Sequence, residues 1–309
     1  MKLRHILAAI LLLLFYCSAA STAAEVDRDL EKRTAKIERY IYGDTLGGLM
    51  TDRLRQTEED LFGRATGQTD SEKSRYLHDF IFKGSSSNLS LDMKLSFLEW
   101  KLFNKTGEGT LEARLADIDR QVIGSVSMEP MAFRLEQLVH LSIEKGLISL
   151  HQVTIPQGTE IRLRLKKDIS SRTATKNDII PMIVTDDLFI DNNILVMTKG
   201  GIVSASVKNV RRGGRFGRTG YVNLDVRTIE SMDSSALPIE IDDAGEKFDK
   251  RKIGMAAGAS TLGYLVLGPI GLAGGAFIKG GEVEVPAGTE ITVRTTADCK
   301  VTGVLVHRK

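Results

Sequence analysis

Cysteine is scarce in this chain of 309 residues: there are two, Cys17 and Cys299. If a leader carrying Cys17 is removed, Cys299 stands alone and no internal disulfide can form. Cys299 is then a buried small hydrophobe, or else an intermolecular link. Histidine is also rare, and beyond residue 24 it occurs only as His78, His140, His151 and His307. No two of these share a metal-ligand spacing, and there is no His-Glu-x-x-His. The chain has no Cys-x-x-Cys, no Gly-x-Ser-x-Gly and no P-loop. Neither a metal, a cofactor nor a catalytic set is therefore expected. An enzyme would need an acid–base pair assembled only by folding, such as His307 beside an aspartate. The net charge is +2, too small to draw in nucleic acid as a partner. Asp242, Asp243, Glu246 and Asp249 cluster near a glycine, but not in the order of a calcium-binding loop, and read as a solvated turn.

The chain also lacks a long apolar run at its start. Ile6–Phe15 spans only about ten residues, short of the roughly 20 that a membrane helix needs. Lys2, Arg4 and His5 precede it, and the small residues Ser18 to Ala24 follow. This is the pattern of a secretory signal, with Ala24–Glu25 as the expected cleavage bond. An uncleaved anchor is the alternative, as is lipidation at Cys17, although Tyr16 is not the small residue that usually precedes a lipid-modified cysteine. The expectation is an exported protein, periplasmic or associated with the outer membrane of a diderm bacterium. The length suggests two domains, and the ordinary apolar and charged fractions exclude wholesale disorder.

What is present begins with a repeat. Between about Leu30 and Leu141 one half-unit reads apolar-x-x-basic: Leu30 to Arg33, Met50 to Arg53, Leu91 to Lys94, Leu111 to Arg114, Met131 to Arg134. The other half is an acid, an apolar pair and often a glycine: Glu38 to Gly43, Glu58 to Gly63, Glu99 to Asn104, Asp119 to Gly124. His78, Ile81, Phe82 and Lys83 form a degenerate copy. The step of 20 or 21 residues marks an array of supersecondary units in residues 25–145. Each unit fits one short amphipathic helix. Met50, Leu54 and Leu61 share a face, Gly63, Asn104 and Gly124 suit a left-handed helix end, and Thr110 and Asp44 or Thr45 suit helix starts. Such helices must pack on each other or on a partner. The array thus reads as a spacer or a docking surface. The run Arg53, Leu54, Glu58, Leu61, Phe62, Gly63 resembles repeats of the form RLxxLExxLFG in exported envelope proteins of diderm bacteria. That resemblance implies an envelope setting and no defined activity.

From Val153 the period becomes two. Ile161, Leu163 and Leu165 alternate with Arg162, Arg164 and Lys166; Val222, Leu224 and Val226 alternate with Asn223, Asp225 and Arg227. These are half-buried antiparallel strands. Asp191-Asn192-Asn193, Gly200-Gly201, Gly213-Gly214 and Asp242 to Gly245 punctuate them, as in a barrel or sandwich. The fold class is α+β, with helical repeats before a β-barrel-like domain at 150–309. One element occurs twice: Val153-Thr-Ile-Pro-Gln-Gly-Thr-Glu-Ile-Arg-Leu-Arg and Val283-Glu-Val-Pro-Ala-Gly-Thr-Glu-Ile-Thr-Val-Arg. The first and last hairpins are therefore read as pseudo-equivalent and adjacent. Ile194 to Val207, with Lys199-Gly200-Gly201, is a weaker third copy. Residues 153 to 230 resemble the C-terminal barrel of TrbI-like type IV secretion subunits, whose pattern includes IPxGTxI and a later IPkG. Ile194-Leu195-Val196-Met197 replaces the usual Ile-Pro before Lys199, and the family's N-terminal membrane helix and proline-rich linker are not recognised. The resemblance implies a barrel and an insertion that reaches a membrane.

Ile253 to Ile278 is an uncharged, glycine-rich stretch flanked by Lys250, Arg251, Lys252 and Lys279. Gly254 and Gly258 form a small-x-x-x-small pair, and Pro269 interrupts any helix. Three readings stay open: a helical hairpin buried against the β-domain or another subunit, a segment that enters a membrane, and an apolar loop. Gly254, Gly258, Gly263, Leu265, Leu267, Gly271 and Phe277 are the candidate contact residues. Lys208, Arg211, Arg212, Arg215 and Arg218 surround Gly213, Gly214, Gly217 and Gly220. Arginines beside successive glycine amides suit an anion, so Arg211, Arg212, Arg215 and Arg218 are the candidate anion-binding residues; a basic hairpin loop is the plainer reading. Phe216 alone is too little for base stacking. The leading function is a non-enzymatic envelope scaffold or assembly protein whose partners are envelope proteins or a second copy, with membrane contact through 253–278. The alternative is binding of an anionic envelope polymer or lipid.

Overall fold

A computed structural model describes residues 28–84, 88–213, 220–241, 264–267, 277–279 and 282–306. The fold is α+β, helices first and then antiparallel sheets that form half-barrels. It divides into two compact units. One holds the helices up to Asp92 and Gly109–Ser142; the other holds Met93–Glu108 and the strands from Ile143 onward. The leader, with Cys17, lies outside the described residues.

Along the chain, α1 (28–42), α2 (Met50–Phe62) and α3 (Asp70–His78) are followed by α4 (Leu91–Phe103), most of which belongs to the strand unit, and by α5 (Leu111–Val122) and α6 (Met131–Ser142). The helix-ending residues read from the sequence take left-handed backbone, with φ 73° at Gly63, 57° at Asn104 and 89° at Gly124, and Gly43 joins them at 91°. Thr110 accepts the Ala113 amide as a helix cap at 3.2 Å. Asp44 and Thr45 do not cap: α2 starts behind Leu49 without a side-chain cap, and Asp44 takes the Thr45 amide instead. Leu54 and Leu61 are fully buried, as the stripe requires. The degenerate third copy ends in a π-helix, Asp79–Lys83, closed by Gly84 at φ 60°. A π-turn absorbs one inserted residue, which is how the 21-residue step fits an otherwise 20-residue register. The helices also fold back on one another. α2 packs on both α3 and α6, a methyl at Gly43 would lie 3.1 Å from Thr110, and one at Gly63 would lie 2.9 Å from Pro130.

The strand unit opens with β1 (Leu150–Ile155), β2 (Glu160–Leu165), β3 (Ile169–Ser170) and β4 (Ile179–Val184). Next come β5 (Leu188–Ile190), β6 (Ile194–Met197), β7 (Ile202–Arg211) and β8 (Tyr221–Asp225). Then follow β9 (Thr228–Glu230), β10 (Ala236–Ile241), β11 (Tyr264–Leu267) and β12 (Phe277–Lys279). The last three are β13 (Glu282–Val285), β14 (Glu290–Thr295) and β15 (Cys299–Leu305). The largest sheet runs β11-β8-β7-β4-β2-β14-β10-β9; β1-β15-β6-β5 and β12-β13-β3 form two smaller ones. The alternating apolar residues point inward: Leu163, Val222 and Leu224 are fully buried. Burying each such side chain contributes roughly 1.5–3 kcal/mol. Cys299 is half-buried against this core.

The duplicated element is a local two-fold. β2 and β14 pair antiparallel about Arg162↔Thr292, inside the largest sheet. Each half repeats the other's bonds. Arg164 reaches Glu290 at 2.9 Å, and Arg294 reaches Glu160 at 2.5 Å. The Gly158 amide donates to Thr295 and the Gly288 amide to Leu165, both at 2.8 Å. Ile155 pairs with Cys299 as Val285 pairs with Ile169. The weaker third copy is also real in backbone terms: Gly200 has φ 91°, beside 81° at Gly158 and 86° at Gly288.

Most of 253–278 lies outside the described residues. The two parts that are described are strands, β11 pairing with β8 and β12 with β13. At those positions the helical-hairpin reading is corrected: once a segment supplies main-chain bonds to a sheet edge, it is not helical. Among the described residues no helix is long and apolar enough to cross a membrane.

Candidate functional site

The chemistry of the helical unit is directed inward. Glu38 is fully buried and accepts Arg53 through both oxygens, Nε at 2.8 Å and Nη2 at 2.6 Å. Asp119 accepts Nε and Nη2 of Arg134 at 3.0 and 2.6 Å, and Glu58 pairs with Lys73 at 3.2 Å. Each of these acids also takes a loop amide eight residues on: Leu46 for Glu38, Thr66 for Glu58, Ser127 for Asp119. Glu99 likewise takes the Gly107 amide. In these four repeats the acid thus clamps its own loop, and Glu38, Glu58 and Asp119 each also hold a base 15 residues on. Buried charge persists only when matched in this way.

Glu58 shows the balance of forces. Burial pushes its carboxyl upward, but the Thr66 hydroxyl and amide and the Lys73 ammonium outweigh this and hold it below its ordinary value of 4.5. Its stabilisation is complete above that unfolded-chain value and is lost as pH falls through the lower folded value. Urea unfolding at about pH 7 and about pH 3 should therefore show Glu58→Gln less acid-sensitive than the parent chain. An unchanged pH dependence would contradict the clamp at this residue.

The strand unit has three equivalent turns, at residues 156–159, 198–201 and 286–289. In each, an aspartate three residues past the neighbouring strand end holds the amide before the glycine. Asp298 takes Gln157 and Asp168 takes Ala287, and Asp187 takes Lys199, each at 2.7 Å. Among the described residues, only the turn at 198–201 is covered. Trp100 of α4 donates Nε1–H to the second oxygen of Asp187 at 2.8 Å. Thr106 donates its amide to Lys199 at 2.7 Å and its hydroxyl meets Thr198. Lys166 pairs with Glu108 of the same loop. Gly200 is buried under this contact, whereas Gly158 and Gly288 are exposed with nothing within 4 Å of a methyl placed there.

Arg211 is exposed, with its guanidinium 4.8 Å from the centre of the Tyr221 ring. The Gly213 amide, which would serve an anion, is given to Glu282 at 2.9 Å, and Ser171 donates its hydroxyl to the same oxygen at 2.5 Å. These bonds, with Arg172 and Arg212 nearby, hold the Glu282 carboxyl below its usual range. The loop entrance thus carries its own carboxylate. Arg215, Arg218 and Phe216 lie outside the described residues, as do Gly254, Gly258, Gly263 and Gly271. Leu265, Leu267 and Phe277 lie on strands β11 and β12.

No acid–base set converges on a cavity among the described residues. His78 stands beside Asp79 at 3.2 Å, and its burial favours the neutral ring. His140 and His151 are exposed, and His307 lies outside the described residues. An open groove of about 390 Å³ is lined by Asp233 and Lys300, among others. Asp233 there is committed to Ser231, Ser235 and the Thr302 amide.

Among the described residues several large apolar side chains face solvent. Ile123, Val126, Met128 and Phe133 are 46%, 41%, 97% and 51% exposed, all within the α5–α6 connection and the first turn of α6. Leu49, in the α1–α2 connection, is 73% exposed. The sequence reading missed this run because it searched for charge and catalytic types; the run of large apolar residues around Gly124 was the available signal. No protein-family model matches the chain, and no curated protein is detectably similar to it.

Proposed function

We propose that this protein is a non-enzymatic assembly or scaffold component of the cell envelope, working through protein contacts. The observation that carries this is the apolar run from Ile123 to Phe133 at the end of the helical array. Soluble chains rarely leave large apolar residues clustered without a partner to cover them. The inward pairing of the repeat acids supports the reading, since those charges hold the array together and leave its loops to make contacts. The signal-like leader and the envelope-type repeats support the exported setting.

The test is the particle mass of the chain recovered under native conditions from cells that make it at ordinary levels. The double variant Met128→Glu, Phe133→Glu should have a smaller particle mass than the parent chain while its unfolding midpoint stays unchanged. A parent chain that is already monomeric, or a variant that assembles as before, would overturn the proposal.

A further inference from the structure

The cover on the turn at 198–201 is built from one repeat: Trp100 follows the clamp acid Glu99, and Thr106 opens the following loop. The turns at 156–159 and 286–289 offer the same chemistry with no cover among the described residues. Asp298 and Asp168 each spend one oxygen on the turn amide and are exposed, as are Gln157 and Ala287, the equivalents of Lys199. The α1 repeat carries matching donors. Arg39 follows the clamp acid Glu38 as Trp100 follows Glu99, and Thr45 stands where Thr106 stands. Both are exposed. The other repeats match less well. α2 places the acid Glu59 at the first position, which Asp168 or Asp298 would repel, and α5 places Val126 at the second with Arg120 already paired to Asp117.

We infer that the bare turns at 156–159 and 286–289 bind the α1–α2 loop of a second copy of this chain. Arg39 supplies the cation to the open oxygen of Asp298 or Asp168, and the Thr45 loop meets the turn carbonyl. The partner is argued from the molecule itself: the strand unit already receives a repeat loop on the third, equivalent turn. Loop and turn are different surfaces, so the contact is head-to-tail and yields a ring or a filament. This rests on the protein-contact reading above and names one partner for it.

The experiment uses the full chain with Cys17→Ser and Cys299→Ser, in two populations. One carries Thr45→Cys; the other carries Gln157→Cys, Ala287→Cys, or Lys176→Cys as an exposed control. Mixed under mild oxidation, the Thr45 population should form the mixed disulfide with Gln157→Cys or Ala287→Cys roughly ten-fold faster than with the control. Arg39→Glu in the first population should abolish that preference. Equal rates for all three partners overturn the inference. If the particle mass still exceeds a monomer in that case, the protein-contact reading stands and the partner is different. If the chain is also monomeric, both fail.

Discussion

Arg53→Met should lower the stability of the helical unit by about 3–5 kcal/mol, because it leaves the fully buried Glu38 carboxylate without its bidentate partner. Among the described residues Glu38 would retain only the Leu46 amide, at 3.3 Å. In the parent chain the guanidinium is held above its ordinary value, chiefly by its hydrogen bonds to Glu38. Adding Glu38→Leu to Arg53→Met should recover much of the loss, since an apolar pair removes both desolvation costs. Urea unfolding followed by the helical signal, which separates this unit from the strands, measures both variants. A loss below about 1 kcal/mol for the single change would place the pair among ordinary surface bridges.

The second large effect is expected at one glycine of three. Gly158→Ala and Gly288→Ala each impose a left-handed backbone on alanine, costing about 1–2 kcal/mol. Gly200→Ala bears that cost and also puts a methyl 2.5 Å from the Thr106 carbonyl oxygen and 3.3 Å from its nitrogen. Both atoms are backbone, so the loop must move, adding roughly 1–3 kcal/mol. The loss of Trp100 fluorescence shielding, compared across the three variants, reads the docking directly. If all three behave alike, the loop does not seat on the turn at 198–201.

Much of this architecture was legible in the residues. The left-handed helix ends could be read from the constant spacing between acid and glycine or asparagine. The two-fold could be read from the duplicated Pro-x-Gly-Thr-Glu element, because a repeated strand-turn-strand tends to pair with its copy. The clamps were half legible. The acid was seen, but the base 15 residues later was read only as part of the neighbouring half-unit. Its burial depends on which helix packs against which, and local periodicity does not carry that. Asking which position pairs with the acid in every copy would have found it, since Glu58 and Lys73 keep the spacing where the apolar-x-x-basic pattern fails. Trp100 and Asp187 are 87 residues apart. Nothing local marks α4 as the repeat whose far end packs with the strands. The exposed run from Ile123 to Phe133 was hidden for the opposite reason: its residue types look like core, and only folding shows that they face solvent.

Hydrogen exchange at the amides of residues 123–133, in the native assembly and in the dissociated chain, tests the central claim most directly. The account predicts slower exchange across Ile123 to Phe133 in the assembly, with the clamped amide of Thr66 equally protected in both states. Identical exchange at 123–133 in the two states would contradict it.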